Sequence, residues 1–352
     1  MNQKRNKIYT FKFVTVAFFL LITFPLASQS FIKPAKIDSN YIIDYGHKLT
    51  ARLYLLRESI SFSINPQQFA PEIRYRPNTH TRIGIAGFYK WFGVGLAVEA
   101  PLFARSREDK RGRSYMLDLR INVYGESMVG EINYQKYKSF YISNPSSVMD
   151  SWKSGMDFPV RSDMSIHSFS AMFYYILNHK KHSLKAAYLQ NMRQKKSSGS
   201  FIFGPAFIYL NVSADSGLVP SNYMIKKNLN DELNIERGSF YTAGIYAGYS
   251  YTLIFLKYFY INASLLPGIY FMHNNYHSPN EHYINSKWSL LWIGRSAIGY
   301  NSDKWYCGIG GVTGFQSEPL PVGNADFNMD LFQIRLWFGT RFNIFVKNKK
   351  YE

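Results

Sequence analysis

Cysteine is nearly missing: Cys307 stands alone in 352 residues. An internal disulfide and a multi-cysteine metal centre are thereby excluded, and a packed, inert thiol is the expectation for this one. Beyond residue 30 there is no apolar run approaching the ~20 residues of a membrane-spanning helix, so any insertion must be by strands. No Pro/Ser-rich linker interrupts the chain, which argues for one large domain after the N-terminal region. Gly-x-Ser-x-Gly does not occur, and no Ser, His and Asp trio is placed by spacing, so the sequence yields no catalytic residue. Acidic residues are scarce, 23 Asp and Glu against 41 Lys and Arg, for a net charge of +18. In the cytosol such a balance would suggest nucleic acid. An export signal removes that partner.

Residues 1–30 read as that signal, with Lys4, Arg5, Lys7 and Lys12 ahead of an apolar stretch from Val14 to Leu26 and small residues Ser28 and Ser30 near the cut. Exported and basic, the chain is expected to meet outer-membrane lipids, with an anionic solute or polysaccharide as further partners.

What is abundant is alternation. Tyr115, Leu117, Leu119, Ile121 and Val123 point one way on a strand, while Met116, Asp118, Arg120, Asn122 and Tyr124 point the other. The same holds for Leu49 to Leu55, Val94 to Ala100 and Phe332 to Phe338. A sheet with one oily face and one polar face, rich in Tyr and Phe (28 of each), predicts a transmembrane antiparallel β-barrel. Segments compatible with strands run about 47–64, 72–77, 81–91, 93–101, 114–125, 128–140, 164–178, 183–194, 200–212, 239–254, 257–272, 286–300, 304–316 and 330–346. Two successive short connections, after 178 and after 194, break the expected alternation of short turns and long loops. Twelve strands are therefore expected, with ten or fourteen as neighbouring solutions. The layout is a signal peptide over 1–30, a periplasmic segment over 31–46 and a barrel over 47–352. Tyr41, Tyr45, Tyr89, Trp91, Tyr137, Phe140, Tyr141, Trp288 and Trp305 are expected in interfacial girdles.

Following each strand's inward phase gathers Arg52, Arg74, Arg76, Arg82, Lys90, Arg120, Arg335 and Arg341 with Glu99, Asp118 and Glu131. Such a lumen either attracts anions or is filled by its own ion pairs; buried charges survive when paired, which favours the filled lumen. His273, His277, His282 and Glu281 share a polar stretch, but their spacing matches no zinc motif. No metal and no cofactor are expected. Gly308, Gly310, Gly311 and Gly314 lie in a strand and imply close approach of neighbouring side chains, not a phosphate loop.

Tyr41-Ile42 through Leu49-Thr50, Arg52-Leu53-Tyr54, Arg74-Tyr75-Arg76-Pro77-Asn78, Tyr89-Lys90-Trp91-Phe92-Gly93, Leu117-Asp118, Tyr124-Gly125, Gln194-Lys195-Lys196-Ser197 and Gly199-Ser200 resemble the domain of unknown function 4421 family of exported bacterial proteins. The resemblance covers nearly everything after the signal peptide. It implies an outer-membrane location and no particular reaction. The expected function is that of an outer-membrane barrel, structural or passing small solutes. The alternatives are a barrel-embedded enzyme acting on lipid or polysaccharide, and a soluble periplasmic β binding module.

Overall fold

Long antiparallel strands dominate a computed structural model that describes residues 36–65, 71–90, 92–99, 108–219, 235–278, 281–320 and 325–343. The expected signal peptide, Trp91 and the last residues lie outside the described residues. In chain order the elements are β1 (Ile42–Asp44), β2 (Lys48–Asn65), β3 (Ile73–Arg76), β4 (Arg82–Tyr89), β5 (Phe92–Glu99), α1 (Glu108–Arg111), β6 (Tyr115–Tyr124) and β7 (Met128–Ile142). There follow α2 (Pro145–Val148), β8 (Val160–Ile176), α3 (Leu184–Tyr188), β9 (Met192–Gln194), β10 (Ser198–Ser213) and β11 (Arg237–Phe255). The chain closes with β12 (Phe259–His277), β13 (His282–Asn301), β14 (Trp305–Pro319) and β15 (Asp326–Asn343).

The last strand pairs with the first long one, from Asn343 opposite Lys48 to Asp326 opposite Asn65, and so closes a barrel. A hydrogen-bonded ring of ten strands results, in the order β2, β3, β7, β8, β10, β11, β12, β13, β14, β15. Near one end β3 alone bridges β2 to β7. Towards the other end that interval is filled by β4 on β2, β5 on β4 and β6 on β7. There β5 lies beside β6 without a ladder between them among the described residues, and twelve strands stand side by side.

Two of the expected wall strands differ: one is only a short bridge in the wall, and the other is not in the wall at all. Segment 72–77 is the short bridge β3, and 183–194 folds into α3 and β9, where β9 pairs with β1 of the N-terminal segment. Leu-Lys-Ala-Ala-Tyr are mostly good helix formers, and the Ser183 hydroxyl caps them by accepting from the Ala186 N–H at 3.2 Å. With 183–194 removed from the wall, the short connections after β4, β6, β11 and β13 all fall at one end. That is the inner, periplasmic end of barrels of this type.

Length explains a second departure. A strand crosses a bilayer in about 9–11 residues, yet β11 and β12 have 19 and β13 has 20. In the inner half the outward side chains are apolar and open, among them Leu96 (73% exposed), Leu119, Ile245, Leu290 (74%) and Phe338. In the outer half the outward positions become Arg57, Ser59 and Ser61 on β2, Lys136 and Lys138 on β7, Asp163, Ser165 and His167 on β8, and His273, Asn275 and His277 on β12. The inward positions there become Ile60, Phe62, Ile64, Met164, Ile166, Leu210 and Phe240, all buried. The wall thus leaves the membrane and continues into water, and its two faces exchange polarity because the solvent outside has changed. The stretches 273–285 and 317–329, expected as loops, are largely the outer ends of β12, β13, β14 and β15. Ile85→Arg on the inner half is expected to lower stability by about 2–4 kcal/mol, and Ser61→Arg on the outer half by less than about 0.5 kcal/mol. Urea titration of the folded band on cold gels measures both; equal losses would mean that the outer half also contacts lipid.

The same phase relation corrects two expectations. Cys307 is exposed on the outward face of β14, between Tyr300 and Phe338 on neighbouring strands, and is not in the core. Among the expected girdle residues, Trp288 and Trp305 do face outward, whereas Tyr45, Tyr137, Phe140 and Tyr141 are buried. The glycines of β14 behave as anticipated: a Cβ on Gly308 or Gly310 would lie 2.8 or 3.0 Å from the Trp337 ring on β15.

Candidate functional site

The bore is the place to look for function, and three layers of side chains span it. At the outer end, aromatic rings stack across the lumen. Phe62 on β2 stacks on Tyr75 at 4.8 Å and meets Phe140 on β7 at 5.6 Å, while Phe327 on β15 stacks on Phe240 of β11 at 4.9 Å. The Tyr75 hydroxyl donates to the Leu218 carbonyl at 2.5 Å, which seats the chain after β10 on this stack. Such a layer excludes water by packing alone.

The middle layer is ionic. Arg82 reaches Glu58 at 2.7 Å and Asp118 at 3.2 Å, and Arg120 reaches Asp118 at 2.9 Å and also bonds Glu58. Arg120 also donates to the Gln333 amide oxygen at 2.6 Å, and Gln135 donates to Glu58 at 3.1 Å. Strands β2, β4, β6, β7 and β15 are tied together by this one cluster. Nearer the inner end, Arg295 on β13 grips Glu131 on β7 with two bonds of 2.8 and 2.7 Å. Tyr124 and Tyr174 donate to the same carboxylate at 2.8 and 3.1 Å. Two acceptors against four donors leave no lone pair idle, the condition under which a buried pair holds.

The inner layer is the plug formed by residues 177–197. Leu184, Ala187 and Leu189 pack among Tyr54, Ile202, Tyr260 and Tyr306 of the wall. Wall side chains then satisfy the plug backbone: Arg52 donates to the Tyr188 carbonyl at 2.9 Å, Tyr260 to Ala187 at 3.0 Å, Asn301 to Met192 at 3.0 Å and Arg341 to Gln190 at 3.0 Å. The Tyr188 hydroxyl returns a bond to Asn262 at 2.7 Å. Just below, Asp303 accepts from Tyr45 and pairs with Arg193 at 3.3 Å, and these donors hold its carboxyl below the usual range.

His182 is the one buried imidazole bonded at both nitrogens among the described residues. Its Nδ1 must donate to the Ser198 carbonyl at 3.1 Å, which leaves Nε2 to accept from the Ser250 hydroxyl at 3.0 Å. Burial lowers its pKa from 6.5 to about 4. The unfolded imidazole protonates first, so full stability is present above pH 6.5 and is lost progressively as pH falls towards 4. The expected loss is about 3 kcal/mol, read as faster hydrogen exchange of residues 184–188, and His182→Gln should flatten the profile. An unchanged slope in that variant would assign the acid sensitivity elsewhere.

The expected lumen residues divide by height. Arg52 and Arg341 hold the plug, Arg120 and Asp118 the middle cluster, and Glu131 the lower one. Arg335 faces inward with its guanidinium 5.2 Å from the Tyr54 ring centre. Glu99 is half exposed at the end of β5, 3.9 Å from His80. Arg74 and Arg76 are exposed on β3, Arg74 beside Glu72 at 2.6 Å, and are not gathered with the others. Sequence reasoning missed Glu58 and Arg295, although the phase of Arg52 and Tyr54, carried on through Leu56, reaches Glu58. Outward Gly294 and Ser296 hid the phase around Arg295. His277 and His282 stack at 4.4 Å on the outer β12 and β13 hairpin, and no three metal-binding side chains converge among the described residues.

Among solved structures, the chain is similar to the outer membrane protease OmpT from Escherichia coli, at 8% identity over 84% of this chain and 97% of that one, with a TM-score of 0.40. It is also similar to the translocator domain of the autotransporter NalP from Neisseria meningitidis, at 8% identity over 96% and 99%, TM-score 0.34. A third is the toluene transporter TodX of P. putida, at 8% identity over 85% and 91%, TM-score 0.31. None of the curated proteins matches. The barrel assignment rests on the closed ladder and the oily outer face. Residues 36–319 match the family model described as Domain of unknown function (DUF4421), and the chain belongs to that family.

Proposed function

We propose that this protein is a closed barrel of the bacterial outer membrane with a structural role, and that small solutes do not pass while any of the three layers in its bore is in place. The observation that carries this reading is the succession of three self-contacts across the bore: an aromatic stack, an ionic layer and a folded plug. The basic, apolar start of the sequence supports export, and the band of open Leu, Ile and Phe on the inner half supports residence in lipid. An enzyme acting on lipid or polysaccharide gains no specific observation, since Glu58, Asp118 and Glu131 are each committed to arginines.

Planar-bilayer recording tests the proposal. The purified protein is expected to stay silent, and so is a variant lacking residues 183–194, because the two outer layers remain. Stepwise, anion-preferring conductance of the unaltered protein would show that the bore is an open path and end this reading.

A further inference from the structure

We propose that the outward face of β15, β2, β4 and β5 binds one anionic phospholipid, its acyl chain in a trough of the wall and its phosphate between Lys90 and Lys304. Register creates the trough. Thr340 lies opposite Ala51, Ala51 opposite Gly87, and Gly87 opposite Val94, so small side chains line up across adjacent strands. The next row outward is Phe338, Leu53, Ile85 and Leu96, which stands above that floor, and Phe342 closes the inner side. The resulting groove measures about 550 Å³ and is almost wholly apolar. At Gly87 the space is real, since an added Cβ would meet only Leu49 Cδ1, at 3.9 Å.

Charge selects the headgroup. Lys90, expected in the lumen, is instead exposed just after β4, and Lys304 is fixed beside β15 because its carbonyl accepts from the Arg341 N–H at 3.0 Å. Each ammonium lies near an aromatic ring, Lys90 by Tyr89 (5.4 Å) and Lys304 by Trp305 (5.6 Å), as suits the interface between oil and headgroups. The nearby Asp303 is already held by Tyr45 and Arg193. Two cations at the inner mouth of an oily groove complement a lipid phosphate and would repel the same face of a second copy.

The protein is to be reconstituted in vesicles of equal parts phosphatidylglycerol and phosphatidylcholine, extracted in mild detergent, and its retained lipid weighed by native mass spectrometry. The unaltered chain is expected to keep one phosphatidylglycerol in roughly tenfold preference. Ala51→Leu with Gly87→Leu should empty the trough. Lys90→Gln and Lys304→Gln together should keep a lipid but lose the preference, and these rim changes leave the wall packing intact should the filled variant fail to fold. Equal retention of both lipids by the unaltered protein, undiminished lipid in a folded filled variant, or a lipid-free dimer would each overturn the proposal.

Discussion

Arg295→Met is expected to lower the stability of the barrel by about 3–5 kcal/mol, the cost of leaving the Glu131 carboxylate buried without its cation. The guanidinium supplies two of the four bonds that carboxylate receives, from across the bore, and Tyr124 and Tyr174 cannot neutralise it. Glu131→Gln in the same chain should recover more than half of the loss, because an amide oxygen still accepts from a tyrosine and no charge remains. Urea titration, following the gel-mobility shift between folded and heat-denatured protein, gives both values. If the single change costs under about 1 kcal/mol, water reaches the pair and the lumen is wetter than the packing implies.

The second large effect is local. Arg341→Leu removes the donor of the 3.0 Å bond to the Gln190 carbonyl and of the 2.6 Å bond to Asn301, together with the guanidinium that lies 4.2 Å from the Tyr45 ring centre. The plug should loosen by about 3 kcal/mol, more than a hundredfold faster hydrogen exchange at residues 184–188, while β11 to β14 keep their protection. Arg335→Met is the matched control. Arg335 makes no ion pair among the described residues, so its removal should change stability by less than about 1 kcal/mol. Global loss of protection in Arg341→Leu would mean that the plug and the wall fold as one unit.

The legible parts of this molecule were those governed by neighbouring residues in one strand. Alternation at 115–124 placed Asp118 and Arg120 inward and the leucines outward without reference to anything else in the chain. Misreadings arose where a partner decided the outcome. Residues 183–194 alternate well enough to pass for a strand, yet they lie on the wall's inner side because β1 and four wall side chains satisfy their backbone. The hairpin at 273–285 looked like a loop because polar outward residues were judged against lipid, while that part of the wall stands in water. Tyr137 and Phe140 were assigned to a girdle by their position near a strand end, and the stack across the bore claims the Phe140 ring instead.

Sequence alone therefore determined the class of wall and its inward and outward faces, since period-two patterning is a local property. Only the tertiary structure decided that residues 177–197 fold inside the wall, which acid meets which arginine, and where the oily band ends. Those outcomes depend on contacts between strands far apart in the chain and on the solvent that each height of the wall meets.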